Sequence, residues 1–202
     1  MLTKSSSTII EYIRENDRRN SRSALAFHYF DFNDQGKQKP SNFLSSIAAQ
    51  FCSQLPILPD RAKSLYTKCH EGRQKPVLKD LQATLGWIFK ELDQVFIIID
   101  AIDECPEKNE EREELLEIIK GMHDWSLDNL HMLATSRREL DIEAVLNPLL
   151  SAPPISIQSA HIDADIRLHV QSELDAISKR KKWPKDLTTE IEETFVSSAN
   201  GM

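Results

Sequence analysis

The stretch "VFIIIDAIDECPE", residues 95–107, runs from unbroken apolar sequence into Asp100, then into Asp103, Glu104 and Pro106. An apolar run without alternation predicts a strand buried on both faces, as in a parallel sheet, because a strand with one wet face shows a polar residue at every second position. The acids that follow have two readings. Either they form a solvated turn, or the strand is built to carry Asp100 to a bound metal ion, with Asp103 and Glu104 at the mouth of the same crevice.

On the C-terminal side, "NLHMLATSRR" holds a second apolar run, 130–135, expected to be another buried strand that delivers Thr135, Ser136 and Arg137. On the N-terminal side, "ALAFHYFDF", 24–32, is rich in strand formers and stops near the turn-like "NDQGK". "PISI", 154–157, is expected to be a last strand, and Pro153 and Pro154 put its start near a sheet edge or end. Helical spacing fills the intervals. A helix over 5–18 carries Ile9, Ile10 and Ile13 on one flank, with the serines at 5–7 as its cap. Another opens at Pro40 and Ser41 and places Phe43, Leu44, Ile47, Ala48, Phe51 and Leu55 on one side until Pro56 and Pro59 end it. Further helices are expected over 60–70, 77–92, 111–122, 141–149, 163–180 and 186–199. Strands that alternate with helices predict a single α/β domain, 1–202, in three layers around a mostly parallel sheet. Right-handed crossovers then gather the carboxyl ends of the strands on one edge, where ligands bind in such folds.

The composition narrows the classes of partner. A chain of 202 residues with a formal net charge of -7 has no general attraction for nucleic acid or an anionic membrane. No run approaches the roughly 18 apolar residues of a membrane span, and "MLTKSSSTIIEYI" lacks the apolar centre of a signal peptide. An intracellular, cytoplasmic protein is expected, with Cys52, Cys69 and Cys105 as free thiols whose spacing matches no zinc pattern. The basic run "KRKKW", 179–183, is read as the solvated end of a helix.

The two strand ends suggest a division of labour. An aspartate ending a buried strand suits magnesium bridging nucleotide phosphates, and Asp103 or Glu104 is placed to orient or deprotonate an attacking water. Arg137, after the neighbouring strand, offers a fixed fork of donors to the terminal phosphate.

"FIIIDAIDECPE" followed by "HMLATSRRE" resembles the Walker B and sensor segments of the NACHT-type signal-transduction NTPases, a branch of the P-loop NTPases. Within them it is similar to the nucleotide-binding domain of large fungal proteins related to the N-terminal part of nephrocystin-3. "STIIEYI", "LAFHYFDFND", "IDADIRLHVQSEL" and "SSANGM" extend the likeness along the chain. The resemblance implies Asp100 as the magnesium-associated aspartate, Asp103 and Glu104 as the acids that position water, and Arg137 as the sensor of the terminal phosphate. It implies Thr135 and Ser136 as the polar residues ending the sensor strand beside the cofactor, with magnesium and ATP or GTP as cofactors. It further implies protein partners, flanking effector and repeat domains, and self-association in a larger signalling protein. Arg138 departs from the proline usual after the sensor arginine.

The larger departure lies at the phosphate loop. GxxxxGK[ST] cradles phosphate through backbone N–H groups that glycine lets approach, and the glycines at 36, 72, 86, 121 and 201 form no such motif. Lys4 and Ser5 copy only its last two letters. The implied sheet order, 5-1-4-3-2, puts the phosphate-loop strand between 130–135 and 154–157. Without that strand, either those two close up or backbone edges stay unpaired. A partial nucleotide-binding domain that is catalytically incompetent alone is therefore expected. An active Mg-dependent ATPase or GTPase with its loop supplied elsewhere, and a non-catalytic interaction scaffold, remain as alternatives.

Overall fold

The computed structural model describes residues 2–17 and 22–155, together with 170, 172, 174, 187–191 and 194. It divides into two units, Met1–Leu150 and Ser151–Met202.

The first unit is α/β. Its elements run α1 (Leu2–Asp17), β1 (Ser23–Tyr29), α2 (Gln35–Gln38), α3 (Pro40–Gln54), α4 (Asp60–Lys68), α5 (Leu78–Lys90), β2 (Gln94–Asp100), α6 (Glu111–His123), β3 (Leu130–Ala134) and α7 (Leu140–Leu146). The strands form one parallel sheet in the order β1-β2-β3, so the strand read from "VFIIID" is central. Tyr29 lies beside Asp100, and Ile99 beside Ala134, which brings all three carboxyl ends to one edge.

The lack of alternation in β2 has the cause expected of it. Val95, Ile97 and Ile99 join a core with Phe43, Leu44, Ile47 and Phe51 of α3, Leu85, Ile88 and Phe89 of α5, and Leu115, Ile119 and Met122 of α6. On the opposite face, Ile98 and Phe96 pack with Leu25, Phe27 and the Ile10 and Ile13 of α1. Helices thus cover both faces of β2, giving three layers. Removing its fully buried Ile97 or Ile99 side chain to alanine would cost about 2–5 kcal/mol.

Three expectations need correction. The serine run does not cap α1, because the helix begins at Leu2 and the serines lie inside its first turns. The run 130–135 does not form a buried strand: β3 ends at Ala134, and His131, Leu133 and Ala134 are exposed. β3 has a strand on one side only among the described residues, and the α1 layer packs on β1 and β2. The expected helix 141–149 ends at Leu146, where Asn147–Leu149 tightens into a 3₁₀ turn around Pro148, whose missing N–H cannot continue an α-helix. Within "NDQGK" the structure adds the short α2, capped by Asp34 Oδ1 accepting from Gly36 N at 2.9 Å.

In the second unit, residues 170, 172, 174, 187–191 and 194 are helical, and Leu174 is buried. Pro154 and Ile155 lie in no strand, with Ile155 91% exposed. Residues 156 and 157 lie outside the described residues, as do "KRKKW" and most of the helices expected over 163–180 and 186–199.

Candidate functional site

Asp100 ends β2 at 1% exposure. Its Oδ1 accepts two hydroxyl hydrogen bonds, from Ser6 Oγ at 2.5 Å and Thr135 Oγ1 at 2.7 Å. Ser6 comes from the first turns of α1 and is itself fully buried, so a helix from one layer and a strand end from the sheet converge on one carboxylate oxygen. The other oxygen, Oδ2, is buried and has no hydrogen-bond partner among the described residues. Leaving a buried polar atom unpaired costs about 1–3 kcal/mol, more when it is charged, so such atoms mark places where an ion, a water or a function resides.

The chain leaves Asp100 through a strained residue. Ala101 takes φ 59° and ψ 53°, a left-handed conformation that costs a residue with a β-carbon roughly 1–2 kcal/mol. Thr135 over-determines it, because its hydroxyl accepts from Ala101 N at 3.0 Å and its carbonyl accepts from Ile102 N at 3.0 Å. The turn throws the next residues into the 3₁₀ turn Ile102–Glu104, with Ile102 anchored in the core. Asp103 and Glu104 are thereby displayed beyond the strand end. Backbone strain concentrated at this point fits a functional site.

Both acids are held. Asp103 Oδ1 accepts from Arg137 N at 3.0 Å, and Oδ2 stands 3.5 Å from Arg137 Nε. Glu104 Oε2 accepts from Phe32 N at 3.0 Å, which ties the loop after β2 to the loop after β1. Asp103, Glu104 and Arg137 line one cleft of about 490 Å³ with Phe32, Gln38, Cys105, Pro106 and Arg112. Asp100 does not line it. The Ser136 hydroxyl donates to the carbonyl of Arg137 at 2.7 Å and not to Asp100. Arg138 pairs with Glu143 of α7 at 3.0 Å.

The six residues read from the sequence therefore fall into three places. Asp100 and Thr135 form a buried pair, Asp103, Glu104 and Arg137 meet in the cleft, and Ser136 turns back on its own loop. Two contributors escaped the sequence. Ser6 is one of three consecutive serines, and only α1 packing over β2 selects it. Arg112 looks like a surface residue in "EREELLEIIKGM", yet its side chain is 8% exposed beneath the acidic turn. Its position one turn before the apolar Leu115 and Leu116 was the available signal.

Cys105, which closes the turn, is fully buried and directs its Sγ to the carbonyl of Gln38 at 3.3 Å. Burial, reinforced by Glu111, pushes its thiol up to about 12. It packs as a small apolar group, and a nucleophilic thiolate is not available there.

Asp100 supplies the donor atom against which magnesium is matched. One carboxylate oxygen, Oδ2, is buried and unpartnered among the described residues, and the two hydroxyls bound to Oδ1 add further oxygens to the same carboxylate, so the groups here are oxygens of the hardness magnesium requires. The residues present fit the ion.

Comparison with known proteins finds a family likeness. A family model described as nephrocystin 3, N-terminal, covers residues 3–137. No curated protein and no solved structure matches. The matched span opens in α1 and closes on Arg137, so it holds Ser6, Asp100, Asp103, Glu104, Arg112, Thr135, Ser136 and Arg137. With more than half of its residues matched, among them both strand ends that build the site, this chain belongs to the nephrocystin 3 N-terminal family.

Proposed function

We propose that this chain is a NACHT-type nucleotide-binding module of a larger signalling or scaffold protein, holding magnesium and ATP or GTP at the carboxyl edge of its sheet. The observation that carries the reading is Asp100 Oδ2, buried and unpartnered where the central strand ends. Asp100, with the Ser6 and Thr135 hydroxyls beside it, is the group that would hold the ion. Magnesium, when bound, neutralises charge on nucleotide phosphates. Thr135 keeps the Asp100 carboxylate in one rotamer, since its hydroxyl is fixed by Ala101 N on one side and Oδ1 on the other. Glu104 has the reach of a water-positioning base, and Arg137 offers its exposed guanidinium to phosphate once released from Asp103.

Residues 1–202 hold no glycine-rich phosphate loop, so the same reading gives this chain alone little or no hydrolysis. Phosphoryl transfer depends on positioning and preorganised charge, and here the acidic side lacks its N–H cradle. We assign the cradle to a segment outside these residues, pairing with the side of β3 that has no strand among the described residues. That open strand also favours a second reading, in which the module serves as a scaffold that takes protein partners, or a second copy, along a sheet edge.

The test is titration with Mg-ATP and Mg-GTP of two proteins: the chain itself, and the chain preceded by a strand and GxxxxGK[ST]. Binding that appears with the added segment and is lost in Asp100→Ala is the expected result. No Mg-dependent binding by either protein would sink the nucleotide reading and leave the scaffold. Turnover by the 202-residue chain that vanishes in both Asp100→Ala and Glu104→Gln would instead make it an enzyme in its own right.

A further inference from the structure

We propose that Arg112 is a positioning residue that locks the acidic turn and the arginine loop into one unit, and so sets where Asp103, Glu104 and Arg137 stand. Its functional meaning rests on the nucleotide reading above, but its geometry does not.

Arg112 sits in the first turn of α6, in the wall of the cleft, with its side chain 8% exposed. All three of its nitrogens are used. Nη2 donates to the carbonyl of Asp103 at 2.7 Å and Nε to the carbonyl of Cys105 at 2.9 Å. Nη1 donates to Glu107 Oε1 at 2.8 Å and Asp141 Oδ2 at 3.4 Å. The first two bonds fix the backbone of the turn that displays Asp103 and Glu104. The last reaches α7, whose Asp141 is four residues beyond Arg137. A ring results: Arg137 N holds the Asp103 carboxylate, the Asp103 carbonyl is held by Arg112, and Arg112 is tied through Asp141 back to the segment that carries Arg137.

A buried guanidinium is costly to desolvate, so its retention needs acceptors at every edge, which this one has. The planar fork is required because two carbonyls and two carboxylates approach from different directions, and a lysine ammonium on a flexible stem cannot satisfy them together. The acids Glu107, Glu139 and Asp141 bring carboxylate oxygens within 4.8 Å of one another, a grouping that on its own suggests a cation site. Arg112 supplies that cation from within the chain, at two of the three acids. The acidic cluster is thus half of the lock and not a metal centre.

Amide hydrogen exchange on the full chain tests the lock without nucleotide, so failure of the nucleotide reading leaves the test intact. The amides of Arg137 and Phe32 are natural reporters, since each donates to one of the two acids. In Arg112→Lys, both should exchange faster by about tenfold or more, while Ile97 and Ile99 at the centre of β2 change by less than about threefold. Asp141→Asn cuts the ring only on the α7 side and should accelerate Arg137 while leaving Phe32 unchanged. It also reads the same ring if the arginine variant fails to fold. Uniform acceleration across β2 and the reporters would reduce Arg112 to a general stabiliser, and unchanged exchange at both reporters would overturn the proposal outright.

Discussion

The two outer edges of the sheet are treated in opposite ways. Along β1, the side chains of Gln50 and Gln54 on α3 stand in for a missing strand. Gln54 accepts from Leu25 N at 3.0 Å and donates to its carbonyl at 2.8 Å, and Gln50 does the same for Phe27 at 3.1 and 2.8 Å. Glutamines four apart on a helix rise about 6 Å, close to the two-residue repeat of a strand, so successive carboxamides meet successive outward peptide groups. Along β3 nothing comparable is present among the described residues, and the alternation of the parallel ladder leaves the backbone of Met132 and Ala134 facing away from β2. An unpaired edge is normally blunted by charge, proline or cover, and "LHMLA" carries neither a formal charge nor a proline. One edge is finished by side chains, and the other has no second strand among the described residues.

The strongest way to break this contrast is to open the closed edge. Gln50→Ala with Gln54→Ala strips four hydrogen bonds from β1, and unfolding in urea should show a loss of about 2–4 kcal/mol, water replacing part of what is removed. A loss no larger than that of a typical surface substitution would mean the glutamines are incidental. Hydrogen exchange sharpens the comparison directly. The Leu25 and Phe27 amides should exchange at least about tenfold more slowly than those of Met132 and Ala134, and equal rates would erase the distinction between the edges.

A smaller effect comes from pH. His28 on β1 is buried, and burial lowers its pKa from the ordinary 6.5. The folded state therefore resists a proton that the unfolded state accepts, so stability is intact above about 6.5 and declines as pH falls below it, by no more than about 1.4 kcal/mol per pH unit for one proton. His28→Asn should flatten that decline, and an unchanged profile would assign it to other groups. The smallest effect is expected on the open edge. Leu133→Lys replaces an exposed side chain, so stability should move by less than about 0.5 kcal/mol while concentration-dependent association weakens. A large destabilisation would show that β3 is already covered.

The same contrast explains which parts could be read in advance. "VFIIID" announced its own position, because only a central strand covered by helices on both faces tolerates so unbroken an apolar run. "HMLA" looked alike in composition, and hydrophobicity alone does not say whether a second neighbour is present. Among site residues, Asp100 was legible because the run behind it fixed its direction. Ser6 was not, since adjacent serines are equivalent until α1 packs and turns Ser6 inward. Arg112 was hidden for a related reason: a charged residue at the start of an acidic helix looks solvated until the turn before it folds back over its guanidinium. Gln50 and Gln54 sit among residues of every polarity on α3, and nothing in their spacing signals a strand edge.

By itself, the sequence determined the α/β alternation, the parallel central strand, the strand ends that carry the candidate residues and the family likeness later matched over residues 3–137. These follow from periodicity and from strand ends, which are local properties of the chain. Tertiary structure alone decided that Ser6 and Thr135 share one oxygen of Asp100, that the other oxygen has no partner among the described residues, that Arg137 is parked on Asp103, and that one sheet edge is sealed by side chains while the other has no second strand among those residues. Each of those facts is a pairing between groups far apart in sequence. Hydrogen-bond partners at such separation are chosen by how the layers pack, and no local pattern records that choice.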